Sequence, residues 1–301
     1  MTHIKPITKA VIPVAGLGTR MLPATKAIPK ELLPVYDRPL IEHVIKEAIS
    51  VGITEIILVT RSGKEAIENH FDAHYELEHR LVKKGKKKIL ENVVKIIPDY
   101  VKITSVRQAD ALGLGHAILC AKHLLNNEPF AVLLPDVLVL DKKNKKNYHS
   151  FNQLVKAWSK TGVGQVMVER VDLNSIENYG IVDFGKNDIE KFISIPLVDL
   201  VEKPSIQDTP SNFALLGRYI LPSNVLEYLE YTKVGVGDEI QLTDALQKLL
   251  NINGLNGLET DADIYDCGNK IGYLGANLAV GMRDQKTNVM IKALLKKLLS
   301  V

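Results

Sequence analysis

Ala10-Val11-Ile12-Pro13-Val14-Ala15 is a short apolar run that passes directly into a glycine-rich loop, Gly16-Leu17-Gly18-Thr19-Arg20. A continuous apolar run of this length is typical of a strand buried on both faces of a parallel sheet. Glycines after such a strand let backbone N–H groups approach a phosphate closely, at the sheet edge where α/β folds bind ligands. The loop lacks the Gly-Lys-Ser/Thr of a Walker A motif, and Met21 stands where a dinucleotide fingerprint has its third glycine. Taken alone, the loop fits a simple turn as well as a phosphate site.

Strands and helices alternate outward from this loop. Apolar residues at i, i+3, i+4, i+7 and i+8 from Ile41 to Ile49 predict a helix with Pro39 near its start and Gly52 as its stop. Further strands are predicted at residues 55–60, 101–106 and 130–134, and a helical stretch near residues 64–83. This alternation predicts an α/β fold with a Rossmann-like, mostly parallel central sheet flanked by helices.

The second half of the sequence has a different pattern, with few long helices between its strands. The strand patterns fall at residues 163–168, 180–184, 197–201 and 213–221, and a helical pattern returns at residues 242–250. We therefore expect a smaller α+β part at residues 141–283, built onto the same sheet as residues 1–140. Residues 284–301 are expected to form a C-terminal helix whose apolar side chains need a partner surface, either on the same chain or on another subunit.

The composition excludes several classes of protein. Hydrophobic residues make up 46% of the 301 positions and charged residues 24%, which excludes collagen-like, disordered and disulfide-scaffold proteins. The 38 basic and 35 acidic residues nearly balance, so we expect no nucleic-acid partner, and the lysine clusters at residues 83–88 and 142–146 are interpreted as solvated loops. We expect no membrane partner, because no apolar stretch reaches the ~18 residues of a membrane span. We also expect no signal peptide, because Pro13 and Gly16 interrupt the N-terminal apolar patch and no small-residue cleavage site follows a long apolar core. Cys120 and Cys267 lack metal-binding spacing, which favours free thiols and a cytoplasmic protein.

Three cations lie at the end of the glycine loop and in the stretch after it, which is predicted to be non-helical. Arg20, Lys26 and Lys30 are separated by Pro23 and Pro29. A long ordered loop with three cations beside a phosphate-sized nest is unfavourable unless an anion binds it. The charges therefore favour an anionic ligand over a simple turn.

The segment from Gly16 to Pro34 resembles the signature of the sugar-1-phosphate nucleotidylyltransferases, and Ala24–Glu31 looks specifically like the bacterial uridylyltransferases of that family. The resemblance continues, in the family's order, through motifs at residues 107–108, 113–117, 134–137, 201–204, 237–245 and 266–270. These motifs cover nearly the whole chain.

The resemblance implies a Mg²⁺-dependent transfer of UMP from UTP to α-D-glucose 1-phosphate, which forms UDP-glucose and pyrophosphate. The attacking phosphate has a second pKa of ~6 and is largely ionised near neutral pH, so no general base is expected. Catalysis must then consist of positioning two polyanions and neutralising their charge. Family members are usually homodimers or homotetramers. A relative that uses dTTP or ATP, and a non-catalytic homologue that regulates a partner enzyme, remain as alternatives.

The resemblance also implies roles for single residues. Arg20 would act on the departing pyrophosphate and Lys30 on the nucleotide phosphates, while Asp136 and Asp266 would bind the metal ion. The expected nucleotide contacts are Ala15, Gly16, Leu17, Gly18, Thr19, Glu31, Gln108 and Gly113. The expected sugar-phosphate contacts are Gly180, Glu202, Lys203 and Gly217. Residues 1–140 would then be the nucleotide-binding half and residues 141–283 the sugar-phosphate-binding half.

Some neighbouring residues are left open or interpreted as structural. Because adjacent strand residues point to opposite faces, Glu202 and Lys203 can serve one ligand only if the segment bends, which the following proline favours. Glu239 and Gln241 match the sugar pocket, but helix capping explains them equally well. His116 and Cys267 are expected to be structural. Leu112 stands where the family often carries a lysine, which puts an extra phosphate contact from that loop in doubt.

Overall fold

The computed structural model describes residues 4–142 and 148–300, so Lys143, Lys145 and Lys146 of the second lysine cluster lie outside the described residues. The strands are β1 Lys9–Pro13, β2 Pro34–Val35, β3 Arg38–Pro39, β4 Glu55–Thr60, β5 Lys102–Arg107, β6 Phe130–Leu133, β7 Val137–Leu140, β8 Gly164–Arg170, β9 Gly180–Asp183, β10 Ser194–Pro196, β11 Asp199–Glu202, β12 Phe213–Leu221, β13 Leu255–Glu259 and β14 Asp263–Asp266. The helices are α1 Leu40–Ser50, α2 Glu65–Phe71, α3 Tyr75–Lys83, α4 Lys87–Val94, α5 Gly113–Cys120, α6 Lys122–Leu125, α7 His149–Thr161, α8 Val225–Glu230, α9 Leu242–Asn253, α10 Lys270–Arg283 and α11 Asn288–Leu299.

A central sheet runs in the order β10-β13-β8-β12-β6-β1-β4-β5, and β9 pairs with both β12 and β11. Strands β6, β1, β4 and β5 are parallel to one another. Strand β12 is antiparallel to both β6 and β8, so β8 and its parallel neighbour β13 point the same way as β1. The predicted mostly parallel sheet is therefore confirmed, and both halves of the chain contribute to it.

Both faces of the sheet are covered because successive residues of a strand point to opposite sides. Val11 packs into one core with residues of α5, α8 and α9. Ala10 and Ile12 face the other core, which includes Ile41 and Ile45 of α1 and residues of α7. Each large apolar side chain buried in this way contributes about 1.5–3 kcal/mol to folding. The unbroken apolar run that begins at Ala10 follows from this double burial.

A second, two-stranded sheet lies at the ligand edge. Strands β7 and β14 are antiparallel, with Val137 paired to Asp266. Leu138 and Leu140 of β7 form a small core with Val35, Leu40 and Ala276. This pairing brings together two segments that are far apart in the sequence.

Most predicted elements are present, but the second half contains more helix than expected. The strands predicted at residues 55–60 and 213–221 match β4 and β12 residue for residue, and the predicted stretch at residues 64–83 forms two helices, α2 and α3. Between the strands predicted from residue 163 to residue 221 the structure has no α-helix, only a 3₁₀ helix at Leu173–Asn178, so the expectation of few long helices there is confirmed. The helices α7 and α10, which lie outside that range, were not predicted. In α10 three glycines, Gly272, Gly275 and Gly281, weaken the helical pattern of the sequence.

The C-terminal helix α11 packs against α10 through Ile291, whose side chain approaches Gly281. Most of its other apolar side chains remain exposed, with Met290 at 70% and Leu298 at 63%. Among the described residues, no helix is both long and apolar enough to cross a membrane.

Candidate active site

The glycine loop lies at the carboxyl end of β1, as the sequence predicts. Gly18 has a φ of +67°, and the Thr25 hydroxyl donates a hydrogen bond to its carbonyl oxygen at 2.7 Å. A Cβ atom on Gly18 would lie 3.3 Å from Cβ of Lys30 and would also be strained by that φ. The loop therefore needs glycine here to fold back over the segment that carries Lys30.

A first cavity of about 420 Å³ opens beside this loop, at the carboxyl ends of β1, β4 and β6. Its lining includes Ala15, Gly16, Leu17, Gly18, Thr19, Gln108 and Gly113, which are seven of the eight residues expected to contact the nucleotide. Lys30, Asp136 and Glu239 line it as well. Peptide groups, one amide, two cationic side chains and two acidic side chains are thus collected in one concave space, as a ligand pocket requires.

Glu31 is the expected nucleotide contact that does not line this cavity. Its side chain is wholly buried and pairs with the buried Lys64, with 2.7 Å between Oε2 and Nζ. Burial raises the pKa of Glu31 despite the opposing charge of Lys64. The pair anchors the segment after the glycine loop to α2.

The Gln108 side chain is fixed by its neighbours. Its Nε2 donates to the Gly113 carbonyl oxygen at 3.1 Å and lies 3.1 Å from Nδ1 of His116. Gly113 has a φ of +89°, and a Cβ atom there would lie 2.6 Å from Cβ of Glu239. His116 therefore acts as a structural partner of Gln108, and Glu239 forms part of the cavity wall.

Four charged side chains meet at one end of the first cavity. The Lys30 ammonium lies 2.6 Å from the Asp136 carboxylate, and one nitrogen of Arg20 lies 2.9 Å from Asp266. The other Arg20 nitrogen is 3.9 Å from Asp136, so one guanidinium reaches both carboxylates. All four residues expected to carry catalysis and metal binding are thus brought together.

The β7–β14 pairing explains how the two carboxylates become neighbours. Asp136 precedes β7 and Asp266 ends β14, and the Cys267 amide donates to the Asp136 carbonyl oxygen at 2.8 Å. A Cβ atom on Gly268 would lie 2.5 Å from the Arg20 guanidinium and 2.9 Å from each carboxylate. Only glycine leaves room for this close grouping of charges.

In the Lys30–Asp136 pair, the pKa of Lys30 is raised above its ordinary value and the pKa of Asp136 is lowered below its ordinary value. Burial alone would lower the pKa of Lys30, but the adjacent Asp136 carboxylate outweighs it and raises that pKa. Burial alone would raise the pKa of Asp136, but Lys30 and Arg20 hold it below its ordinary value. Both groups are therefore charged near neutral pH.

A second cavity of about 450 Å³ shares Leu134 and Asp136 with the first and lies on the other side of the charged group. Its lining includes Arg20, Glu169, Asn178, Tyr179, Gly217, Asp266 and Asn269. Gly217, an expected sugar contact, has a φ of +67°, and a Cβ atom there would lie 2.6 Å from the Leu134 side chain. Two ligand-sized spaces thus meet at the four charges.

The other expected sugar contacts lie beside the second cavity instead of in its lining. Gly180 pairs with Glu202 across β9 and β11, and the Thr243 hydroxyl donates to Glu202 at 2.6 Å. The expected bend is present, since Lys203 has a φ of +46° and its ammonium lies 3.5 Å from Glu202. The two side chains therefore reach the same side of the segment.

Sequence reasoning missed several residues that line the cavities. Arg61 follows β4 directly, so its position at the carboxyl end of a predicted parallel strand was an available signal. Glu169 directly follows the strand predicted at residues 163–168, but the sequence did not show that this strand runs in the same direction as β1. Burial raises the pKa of Glu169 to about 7.

The carboxylates suit a hard divalent cation. Mg²⁺ prefers oxygen ligands and is commonly held by one or two carboxylates together with substrate phosphates. Asp136 and Asp266 supply two such groups, and in the described part of the chain no group of three or more His, Cys, Asp or Glu forms a closed metal cage. The donor set fits Mg²⁺ shared with a phosphate ligand better than a structural metal.

The chain is similar over most of its length to known proteins of one family. Residues 9–281 match the family model described as nucleotidyl transferase. A UTP–glucose-1-phosphate uridylyltransferase of Haemophilus influenzae is 47% identical over 96% of this chain and 98% of its own length. One from Escherichia coli K12 is 45% identical over 97% of this chain and 96% of its own.

Solved structures of similar proteins have the same fold as this chain. A UTP-bound UGPase from Acinetobacter baumannii superposes with a TM-score of 0.89 at 43% identity, covering 97% of this chain and 99% of that one. A UDP-glucose pyrophosphorylase complexed with UDP-glucose gives a TM-score of 0.80 at 35% identity, covering 92% and 100%. The chain is therefore an enzyme of the nucleotidyl transferase family.

Proposed function

We propose that the protein transfers UMP from UTP to α-D-glucose 1-phosphate, forming UDP-glucose and pyrophosphate with the help of Mg²⁺. The observation that carries this proposal is the meeting of Arg20, Lys30, Asp136 and Asp266 where the two cavities join. Relatives named for this reaction, and similar structures described with UTP and with UDP-glucose, support the choice of substrates.

The first cavity would take UTP. Backbone N–H groups of the glycine loop would face the phosphates, and the Gln108 amide, which can donate and accept together, would read the uracil edge. Lys30 would neutralise charge on the nucleotide phosphates, and Arg20 would do so on the departing pyrophosphate. The 16% exposure of the Lys30 side chain favours strong electrostatic interactions at this point.

Glucose 1-phosphate would bind toward the second cavity. Lys203 would hold its phosphate, Glu202 would accept hydrogen bonds from the sugar hydroxyls, and Gly180 and Gly217 would offer close backbone contacts. A phosphate oxygen of the sugar would form a bond to the α-phosphorus of UTP, while the bond from that phosphorus to pyrophosphate breaks. No proton needs to be removed first, because the attacking phosphate has a second pKa of ~6.

Asp136 and Asp266 would hold Mg²⁺. When bound, the ion would neutralise phosphate charge in the same place as the two cations. The protein's own part is to keep both carboxylates ionised and close together, and the neighbouring cations favour that state.

We also propose a wider organisation for the chain. Residues 1–140 would form the nucleotide-binding half, 141–283 the sugar-phosphate-binding half, and 284–301 a helix for subunit contact in a homodimer or homotetramer. The exposed apolar side chains of α11 support that contact. A cytoplasmic location without nucleic-acid or membrane partners fits the two free cysteines and the balanced charge.

Pyrophosphate release with glucose 1-phosphate and Mg²⁺, compared across UTP, dTTP, ATP, CTP and GTP, tests the proposal. A strong preference for UTP is the expected result. A preference for dTTP would keep the fold and the mechanism but assign a thymidylyl donor. Release with none of the nucleotides, in a folded sample that binds UDP-glucose, would overturn catalysis in favour of a regulatory homologue.

A further inference from the structure

Strand β12 carries a fully buried arginine immediately after Gly217. Arg218 is 0% exposed, and its fork-shaped guanidinium binds the carboxylate of Glu47 on α1 through two contacts, at 2.8 and 3.0 Å. Two parallel N–H···O bonds fix the orientation of the guanidinium as well as its position. The strand register shifts at this point, between Leu215 and Tyr219, so the arginine lies at an irregular part of the sheet.

Of the remaining N–H groups of Arg218, one donates to the Gly217 carbonyl oxygen at 3.2 Å and two reach the turn that carries Asp136. Nη1 donates to the Leu134 carbonyl oxygen at 3.1 Å, and Nη2 donates to the Val137 carbonyl oxygen at 2.7 Å. These two residues flank Pro135 and Asp136 on both sides. One rigid group therefore holds both ends of the segment that presents the carboxylate.

A buried ion pair is a poor way to gain stability. Desolvation of both charges offsets their attraction, and apolar residues of similar volume often stabilise a core equally well. Neither Arg218 nor Glu47 lines the two cavities of the candidate site, so contact with a ligand in those cavities does not account for them. The contacts of Arg218 with the Asp136 turn account for the arginine, and Glu47 supplies the carboxylate that holds it.

We infer that Arg218, held by Glu47, is a positioning residue that sets the orientation of the Asp136 carboxylate. This inference rests on the proposed role of Asp136 as a metal ligand. Lysine cannot replace arginine here, because its single ammonium cannot bind Glu47 and both carbonyl groups in a fixed plane.

The test compares Arg218→Lys and Glu47→Gln with Lys9→Met. Lys9 is a matched control, since it is also a buried cation that pairs with a carboxylate, at 3.1 Å from Glu128, but lies at the opposite end of β1. All variants are measured below their unfolding temperatures. Two different substitutions of the pair keep the test informative if one of them fails to fold.

Three measurements distinguish positioning from general loss of stability. Mn²⁺ affinity in the presence of UTP is measured by electron paramagnetic resonance and is expected to fall about 10- to 100-fold in both Arg218→Lys and Glu47→Gln. The kcat of both variants is expected to fall by a similar factor. The KM for UTP is expected to change far less. Hydrogen exchange should accelerate at the Leu134 and Cys267 amides, which bond to Gly217 and Asp136. The Lys9→Met variant should lower the melting temperature without any of these changes.

The inference is overturned if folded Arg218→Lys keeps wild-type Mn²⁺ affinity and wild-type exchange at those amides, or if Lys9→Met produces the same changes. Metal affinity and hydrogen exchange do not depend on turnover. If the wild-type protein binds Mn²⁺ and UTP but releases no pyrophosphate, the proposed reaction fails while the positioning role is still tested.

Discussion

Replacing Glu169 by glutamine is expected to stabilise the metal-free protein at pH 8 and to do so much less at pH 5. Glu169 lies in the second cavity, and among the described residues no hydrogen bond or ion pair engages its carboxylate. Burial raises its pKa from 4.5 to about 7. A carboxyl group whose pKa is raised by folding destabilises the folded protein when it is ionised, so the penalty is absent below about pH 4.5 and complete above about pH 7.

The shift sets the size of the effect. At about 1.4 kcal/mol for each pKa unit, the full penalty would be about 3 kcal/mol. The side chain is only partly buried, so solvent screening lowers the expected gain from Glu169→Gln to about 1–2 kcal/mol at pH 8. By the same linkage, roughly a quarter of that gain remains at pH 5.

Urea unfolding followed by circular dichroism, with EDTA present, measures the free energy of unfolding at both pH values. Glu177→Gln is the control, because it removes one exposed negative charge from a nearby segment. A gain of the same size at pH 5 and pH 8, or a loss of stability at pH 8, would refute the reasoning. The first outcome would show that the substitution acts through packing, and the second that the carboxylate has a stabilising partner.

Three further predictions test other parts of the structure. Lys203→Ala should raise the KM for glucose 1-phosphate much more than the KM for UTP, and equal increases in steady-state assays would contradict its proposed placement. Gly217→Ala should lower the free energy of unfolding by about 1–3 kcal/mol, because the new Cβ would lie 2.6 Å from Leu134 at a φ of +67°; urea titration would show this, and an unchanged midpoint would argue against the close approach. Removing residues 288–301 should reduce the number of subunits per particle measured by light scattering, and an unchanged subunit number would exclude α11 from the subunit contact.

The sequence predicts most of the sheet because parallel strands buried on both faces must be continuously apolar. Strands β1 and β4 show such runs, and α1 shows one apolar face, so local patterns are sufficient there. The helix α7 was missed although Phe151, Leu154, Val155 and Trp158 fall at the i, i+3, i+4, i+7 spacing of one helix face, so its signal was present in the sequence. Pattern alone could not show that β12 lies between β6 and β8, since strand order depends on contacts far apart in sequence.

The sequence predicted which residues form the candidate site more completely than it predicted how those residues are arranged in space. The resemblance identified Arg20 and Asp266, but their contact joins residues 246 positions apart and depends on the β7–β14 pairing. For Glu31 the resemblance predicted a nucleotide contact, but the side chain does not line the first cavity. Glu31 follows Lys30 directly in a 3₁₀ turn, where consecutive side chains point in different directions, so one side chain reaches Asp136 and the next is buried against Lys64.

The charges at the junction of the two cavities support one another before any ligand binds. Burial alone would lower the pKa of Lys30 and favour its neutral form, yet the Asp136 carboxylate reverses this effect. Lys30 in turn keeps Asp136 ionised in spite of its burial. Each group is therefore already in the protonation state that its proposed role requires, an ammonium for a phosphate and a carboxylate for a cation. Binding of substrates would then exchange one oppositely charged partner for another, which requires no proton transfer and is consistent with a mechanism without a general base.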